Sequence, residues 1–232
     1  MIEPRELLLV RGGGAALILF LPMLLLGVVL YGRIGTSSQS DGAEALRRIG
    51  DAGASFPVMN ALFHLGPLLL IPGTVALWIV LRGEGRDGWL LLAAGFVVLT
   101  VAVSAGVTFT LNQGLYRVAQ GFATASPERQ AITASAADMN LATQTGVELV
   151  QSLGSSFWLL AIAAAAAAAG WPAWLVWLGV AGGIGFLAAG FSSVLLGVPL
   201  LGPVLAGMGG IGLLLFAIWT VATGIKLLTM TT

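Results

Sequence analysis

Residues 146–169 read GVELVQSLGSSFWLLAIAAAAAAA. As a helix, this segment is long enough to cross a hydrocarbon layer about 30 Å thick. A helix also satisfies its own backbone polar groups, as lipid requires. The segment nevertheless opens with Glu148, Gln151, Ser152, Ser155 and Ser156 before turning wholly apolar. Both the fold and the candidate site are read outward from this stretch.

Five further segments have the same apolar length, near 13–31, 57–81, 89–110, 173–195 and 202–225. The expectation is an all-α polytopic membrane protein with six transmembrane helices, organised as one transmembrane domain over 1–232. Composition agrees: 58% of the 232 residues are hydrophobic and 9% charged, where soluble domains have about a quarter charged. Ten Lys and Arg balance ten Asp and Glu, which argues against a nucleic-acid partner held through phosphates and against an acidic disordered chain. The chain has no cysteine and one histidine, which excludes disulfides, thiolate sites and polyhistidine metal sites. The first span ends in Tyr31-Gly32-Arg33 without a small-residue cleavage site, so it reads as a retained helix.

Basic residues divide equally between the two sides. Arg5, Arg11, Arg82, Arg86 and Lys226 fall on the side of the termini; Arg33, Arg47, Arg48, Arg117 and Arg129 fall on the other. The short loop bearing Arg82 and Arg86, and Arg11 abutting the first span, carry more weight than distant charges. Both termini are therefore expected in the cytoplasm, with the protein in the cell membrane. Trp78, Trp89, Trp171, Trp174, Trp177 and Trp219 are read as an interfacial belt on the terminal side.

Two connections carry structure of their own. Asp41 followed by Glu44 resembles a capping box. The segment through Arg48 reads either as a solvated linker or as an interfacial helix with Leu46 and Ile49 toward lipid. Ser126-Pro127-Glu128 reads as a helix start, with a hydroxyl cap, a first-turn proline and an acid at the positive end of the dipole. The fourth helix is thus expected to begin outside the membrane, and the third to run outward toward Gln120. Together they form an external helical hairpin tipped by Gly121 and Ser126-Pro127. Gly179-x-x-x-Gly183 and Ala206-x-x-x-Gly210 are read as internal close-packing motifs.

Polar residues in the spans fall into three sets. At about 100° per residue, Asn140, Gln144, Glu148, Gln151 and Ser155 occupy roughly an 80° arc of the fourth helix. Asn60 and His64 share one face of the second. Thr100, Ser104, Thr108 and Asn112 recur every four residues along the third, drifting slowly around an ideal axis. Of these, Asn60 with His64, Thr108 with Asn112, and Glu148 with Gln151 fall in the same outer third of the bilayer. A polar pocket between helices two, three and four is expected, open to the outside or roofed by the hairpin. Its ligand-binding candidates are Asn60, His64, Thr108, Asn112, Asn140, Gln144, Glu148 and Gln151. Gly66-Pro67 and Pro72-Gly73 are expected to kink the second helix and to free the carbonyls of Phe63 and Leu68. A bland alternative stands beside this reading: hydroxyls bond their own i−4 carbonyls, and amides join helices for around 0.6 kcal/mol each.

Two stretches, Ala76-Leu77-Trp78-Ile79-Val80-Leu81-Arg82 and Trp171-Pro172-Ala173-Trp174-Leu175-Val176-Trp177-Leu178-Gly179-Val180-Ala181-Gly182-Gly183, resemble the bacterial six-helix membrane family catalogued as domain of unknown function 4386. The resemblance implies a six-helix integral protein of bacterial type and brings no established catalytic residues.

Three functional classes follow. The first binds or moves a small amphiphilic or lipid-like ligand in an apolar cavity with few polar groups. The second is a membrane enzyme acting on a lipid or isoprenoid, with the candidate catalytic pair Glu148 and His64 as acid and base. The third is a structural or accessory membrane subunit, whose expected partners are membrane lipids and either a second membrane subunit or further copies of this chain. No cofactor is expected, since haem on His64 alone has little support.

Overall fold

The computed structural model describes residues 3–34, 41–195 and 198–231, and these are all-helical, with no strand among them. The helices are α1 (Pro4–Ile34), α2 (Gly42–Ala52), α3 (Ser55–Leu65), α4 (Leu70–Leu81), α5 (Asp87–Val101), α6 (Phe109–Ala119), α7 (Pro127–Ala168), α8 (Ala173–Leu195) and α9 (Leu201–Leu228). A 3₁₀ turn, Gly66–Leu69, joins α3 to α4, and a π-helical segment, Ala102–Thr108, joins α5 to α6. Six rods are long and apolar enough to cross a membrane: Pro4–Ile34, Ser55–Leu81, Asp87–Ala119, Pro127–Ala168, Ala173–Leu195 and Leu201–Leu228.

Successive rods are neighbours around a ring, and α9 closes it on α1. At the terminal side the ring is filled. Trp158 and Trp219 are 1% and 2% exposed and meet edge to face at 5.6 Å; Phe216, Phe20, Leu17 and Leu77 pack around them. Indole nitrogen needs a partner when buried; Trp158 Nε1 donates to Thr74 Oγ1 (2.9 Å), which donates to the Leu70 carbonyl (2.7 Å). Trp219 is therefore a core residue and not part of the interfacial belt, whereas Trp89, Trp174 and Trp177 are exposed. Lys226 Nζ lies over the Trp171 ring, 5.1 Å from its centroid.

Helices α8 and α9 approach closely because both lack side chains at the crossing. A Cβ on Gly185 would stand 2.2 Å from Gly212 Cα. Gly179 and Gly183 are buried as expected, facing Ala163 and Trp219, and Leu160 and Ser156. Ala206 and Gly210 do not behave as a packing motif: both are exposed, and a Cβ on Gly210 would meet nothing within 4 Å.

The hairpin forms as the caps dictate. Ser126 Oγ accepts from the Arg129 N–H (3.4 Å), and Gln130 Nε2 donates to the carbonyls of Phe122 (3.0 Å), Ala123 (3.4 Å) and Ala125 (3.2 Å), tying the tip. Helix α2 starts at Asp41, whose carboxylate accepts from the N–H groups of Ala43 and Glu44, while Glu44 pairs with Arg48 and so does not complete a capping box. The placement of α2 corrects both sequence readings. Leu46 and Ile49 are 0% and 1% exposed, packed with Phe56, Met59, Leu115, Ala137 and Leu141. The apolar face of α2 lies between α6 and α7 and not on lipid. Glycine permits it: the Gly42 N–H donates to Asp138 Oδ1 (2.6 Å), and a Cβ there would meet the Ala134 carbonyl oxygen at 2.2 Å.

Candidate functional site

On the hairpin side the ring is hollow. A cavity of about 440 Å³ receives residues from all six rods and from α2. Ile49, Phe56, Met59, Leu115 and Leu141 close it at the hairpin end, and Phe186 and Leu213 lie on the aromatic floor. Of the expected site residues, His64, Thr108, Asn112, Gln144, Glu148 and Gln151 line it. Asn60 and Asn140 stand behind them as hydrogen-bond partners. The pocket is thus not confined to the second, third and fourth rods. Tyr31 comes from α1, Ala189, Ser192 and Ser193 from α8, and Ala206, Gly209 and Gly210 from α9.

The polar wall is one connected network with a direction. It starts at the carbonyl oxygen of Phe109, an obligate acceptor, to which Asn60 Nδ2 donates (3.1 Å). Asn60 Oδ1 must then accept, and it does so from Asn112 Nδ2 (3.0 Å). The same Asn112 amide faces His64 Nε2 (3.2 Å), which makes that nitrogen the acceptor and leaves the ring proton on Nδ1, toward Ser104 Oγ (3.4 Å). Asn112 Oδ1 is then the acceptor for Gln144 Nε2 (2.9 Å), which also donates to Asn140 Oδ1 (2.9 Å). Gln151 Nε2 donates to Ser104 Oγ (3.2 Å). Asn112 is the hub, linking α3 to α7.

The π segment makes this alignment possible. A four-residue repeat drifts on an α-helix, but the wider turn of Ala102–Thr108 holds Ser104, Thr108 and Asn112 on the buried side, and such segments recur at functional sites. Thr108 Oγ1 donates to the Val103 carbonyl five residues back (3.3 Å). Thr100 lies outside the cavity lining; its hydroxyl is buried against Gly154 with no partner among the described residues. In the second rod Pro67 lies in the 3₁₀ turn and Pro72 in the first turn of α4, and the Leu70 N–H donates to the Leu68 carbonyl, which is therefore not free.

Glu148 stands apart from the network. It lines the cavity, and its carboxylate has no hydrogen bond or ion pair with any described residue. His64 and Glu148 share the cavity without being hydrogen bonded to each other. Within electrostatic reach of Glu148 is Tyr31, whose ring lies 6.1 Å from that of Phe63.

The cavity also has a side. Near the termini, α1 and α9 touch at Gly14 and Gly224 and at Phe20 and Phe216 (5.6 Å). Toward the hairpin the corresponding glycines turn to other rods: Gly27 of α1 faces Phe63, and Gly209 of α9 faces Ala189. Tyr31 of α1 and Ala206 and Gly210 of α9 are all three exposed and cavity-lining, which marks a lateral mouth between these two rods.

Comparison with known protein families, with curated proteins and with solved structures finds no match to this chain. The site is therefore interpreted from its own chemistry. Ser192 and Ser193 were findable by the depth argument, since they lie late in a span that runs from the terminal side toward the hairpin side. Ala189, Ala206, Gly209 and Gly210 carry no polar signature and could not be read from the sequence.

Proposed function

We propose that this protein binds, or moves, a small amphiphile whose polar end meets the wall formed by His64, Asn112, Gln144, Glu148 and Gln151. The carrying observation is a cavity of about 440 Å³ with one polar wall among otherwise mainly apolar ones. That volume is within the usual range of ligand pockets, roughly 300–1,000 Å³. A mouth on the flank of the bundle and an apolar plug at its external end favour a molecule that reaches the site from the bilayer. The acid–base reading of Glu148 and His64 has less support, because both ring nitrogens of His64 are taken by Ser104 and Asn112. We further propose a cell-membrane location with both termini cytoplasmic, on the strength of the loop-proximal arginines. Kinship with the bacterial family of domain of unknown function 4386 is a proposal resting on the two quoted tryptophan-rich stretches.

Native mass spectrometry of the purified protein tests the central reading. Wild type is expected to carry a bound amphiphile at near one-to-one stoichiometry. Gly210→Trp, placed where a side chain meets open space, is expected to lose it while remaining folded. Ala206→Trp on the same edge serves as a second variant. Wild type free of amphiphile in mild detergent and in native membrane extract would overturn the proposal.

A further inference from the structure

The direction of the network decides what kind of head group the cavity accepts. Because Phe109 can only accept, every amide from Asn60 to Gln144 is oriented, and the last member spends its NH₂ group on Asn112 and Asn140. Gln144 is 7% exposed, and its Oε1 has no partner among the described residues while keeping contact with the open volume. One helical turn further along α7, on the same face, is the unpartnered carboxylate of Glu148. The wall therefore presents two acceptors in succession. No Lys or Arg is among the described residues that line the cavity. An anionic head would meet a carboxylate without a countercharge. A hydroxyl has a single proton to donate and so satisfies only one of the two acceptors. A cation carrying N–H groups satisfies both, and the Tyr31 and Phe63 rings beside the mouth supply faces that attract positive charge.

We propose that the head group held in this cavity is a primary ammonium, bonded to Gln144 Oε1 and the Glu148 carboxylate, with its hydrocarbon tail leaving through the gap between Tyr31 and Gly210. The assignment rests on the amphiphile-binding reading and narrows it to one chemical class. A quaternary ammonium, which has charge but no N–H to donate, ranks below a primary one.

The test uses the full-length protein in phosphatidylcholine nanodiscs, titrated calorimetrically with four probes of equal chain length: decylammonium, decyltrimethylammonium, decanol and decanoate. Gly210→Trp measures binding outside the cavity. A charge-assisted hydrogen bond predicts at least about tenfold preference for decylammonium over decanol, with decyltrimethylammonium between them and decanoate weakest. Glu148→Gln is expected to abolish the tenfold preference, and an unchanged helical circular-dichroism spectrum and elution volume show that the variant folds; a preference that survives the substitution would overturn the assignment. Adding phosphatidylethanolamine to the disc distinguishes a lipid head from a free amine. Weaker decylammonium binding in its presence identifies the lipid as the source, and unchanged binding identifies a free amine. Equal affinities for decylammonium and decanol, both blocked by Gly210→Trp, would overturn the ammonium assignment while sparing the cavity reading. Absence of any binding sensitive to Gly210→Trp would overturn both.

Discussion

Asn112→Leu probes the hub of the polar wall with a side chain of similar size. Asn112 makes three hydrogen bonds, to Asn60 Oδ1 (3.0 Å), to His64 Nε2 (3.2 Å) and from Gln144 Nε2 (2.9 Å). At around 0.6 kcal/mol each, the average within membrane proteins, their loss sets a floor near 2 kcal/mol. The substitution also strands acceptors: Asn60 is 0% exposed, so its Oδ1 has no water to turn to. A buried acceptor left unpaired adds about 1–3 kcal/mol, whereas Gln144 keeps Asn140. The expected total is about 3–5 kcal/mol. The assay is reversible unfolding in mixed micelles of rising dodecyl sulfate content, run as a cycle with Asn60→Leu. The double variant is expected to cost less than the sum of the singles by about 0.6–1.7 kcal/mol, the range of interhelical couplings in lipid. A cost below about 0.5 kcal/mol for Asn112→Leu, with no coupling to Asn60, would refute the network on which the site is built.

Three further outcomes follow from the same packing. Thr100→Val removes a buried hydroxyl that has no partner among the described residues, so it is expected to be neutral or to stabilise by up to about 1 kcal/mol in the same assay. Gly185→Ala would put a Cβ 2.2 Å from Gly212 Cα and so force α8 and α9 apart; a loss of about 2 kcal/mol or more is expected, while Gly207→Ala, with nothing within 4 Å, is expected to change stability little. Gly42→Ala drives a Cβ to 2.2 Å from the Ala134 carbonyl oxygen, and hydrogen exchange is expected to speed across Gly42–Ala52 while the six rods stay protected.

What the sequence made legible was what single helices encode. Apolar length located the six rods, Ser126-Pro127 marked the start of the long α7, and Asp41 marked α2. Helical phase and depth together assembled Asn60, His64, Asn112, Gln144 and Gln151 into one wall. The four-residue spacing of Ser104, Thr108 and Asn112 is compatible with the π segment, whose wider turn reduces the drift of such a repeat. What one helix does not encode is its partner. An apolar face such as that of Leu46 and Ile49 suits lipid and protein equally, and only the glycine at position 42, with Asp138 opposite it, favours docking between α6 and α7. The same ambiguity placed Trp219 at the interface when it packs on Trp158. Besides Phe186, Ser192, Ser193 and Leu213, the fifth and sixth rods contribute Ala189, Ala206, Gly209 and Gly210 to the cavity, residues that define a void by being small.

The arrangement also explains why the polar wall can exist in so apolar a chain. Its members satisfy one another across three rods, so desolvation is offset within the network, and the free acceptors are confined to the surface that faces the cavity. Glu148 is the exception, and an unpartnered carboxylate facing a cavity with a lateral mouth is the feature that a purely structural cluster does not explain.

The most direct measurement is a structure of the protein determined in nanodiscs prepared from its native membrane. The account predicts elongated density that begins beside Gln144 and Glu148 and passes between Tyr31 and Gly210 toward the lipid. A bundle in which α1 and α9 close along their whole length, with side chains filling the space between Phe186 and Leu141, would contradict it.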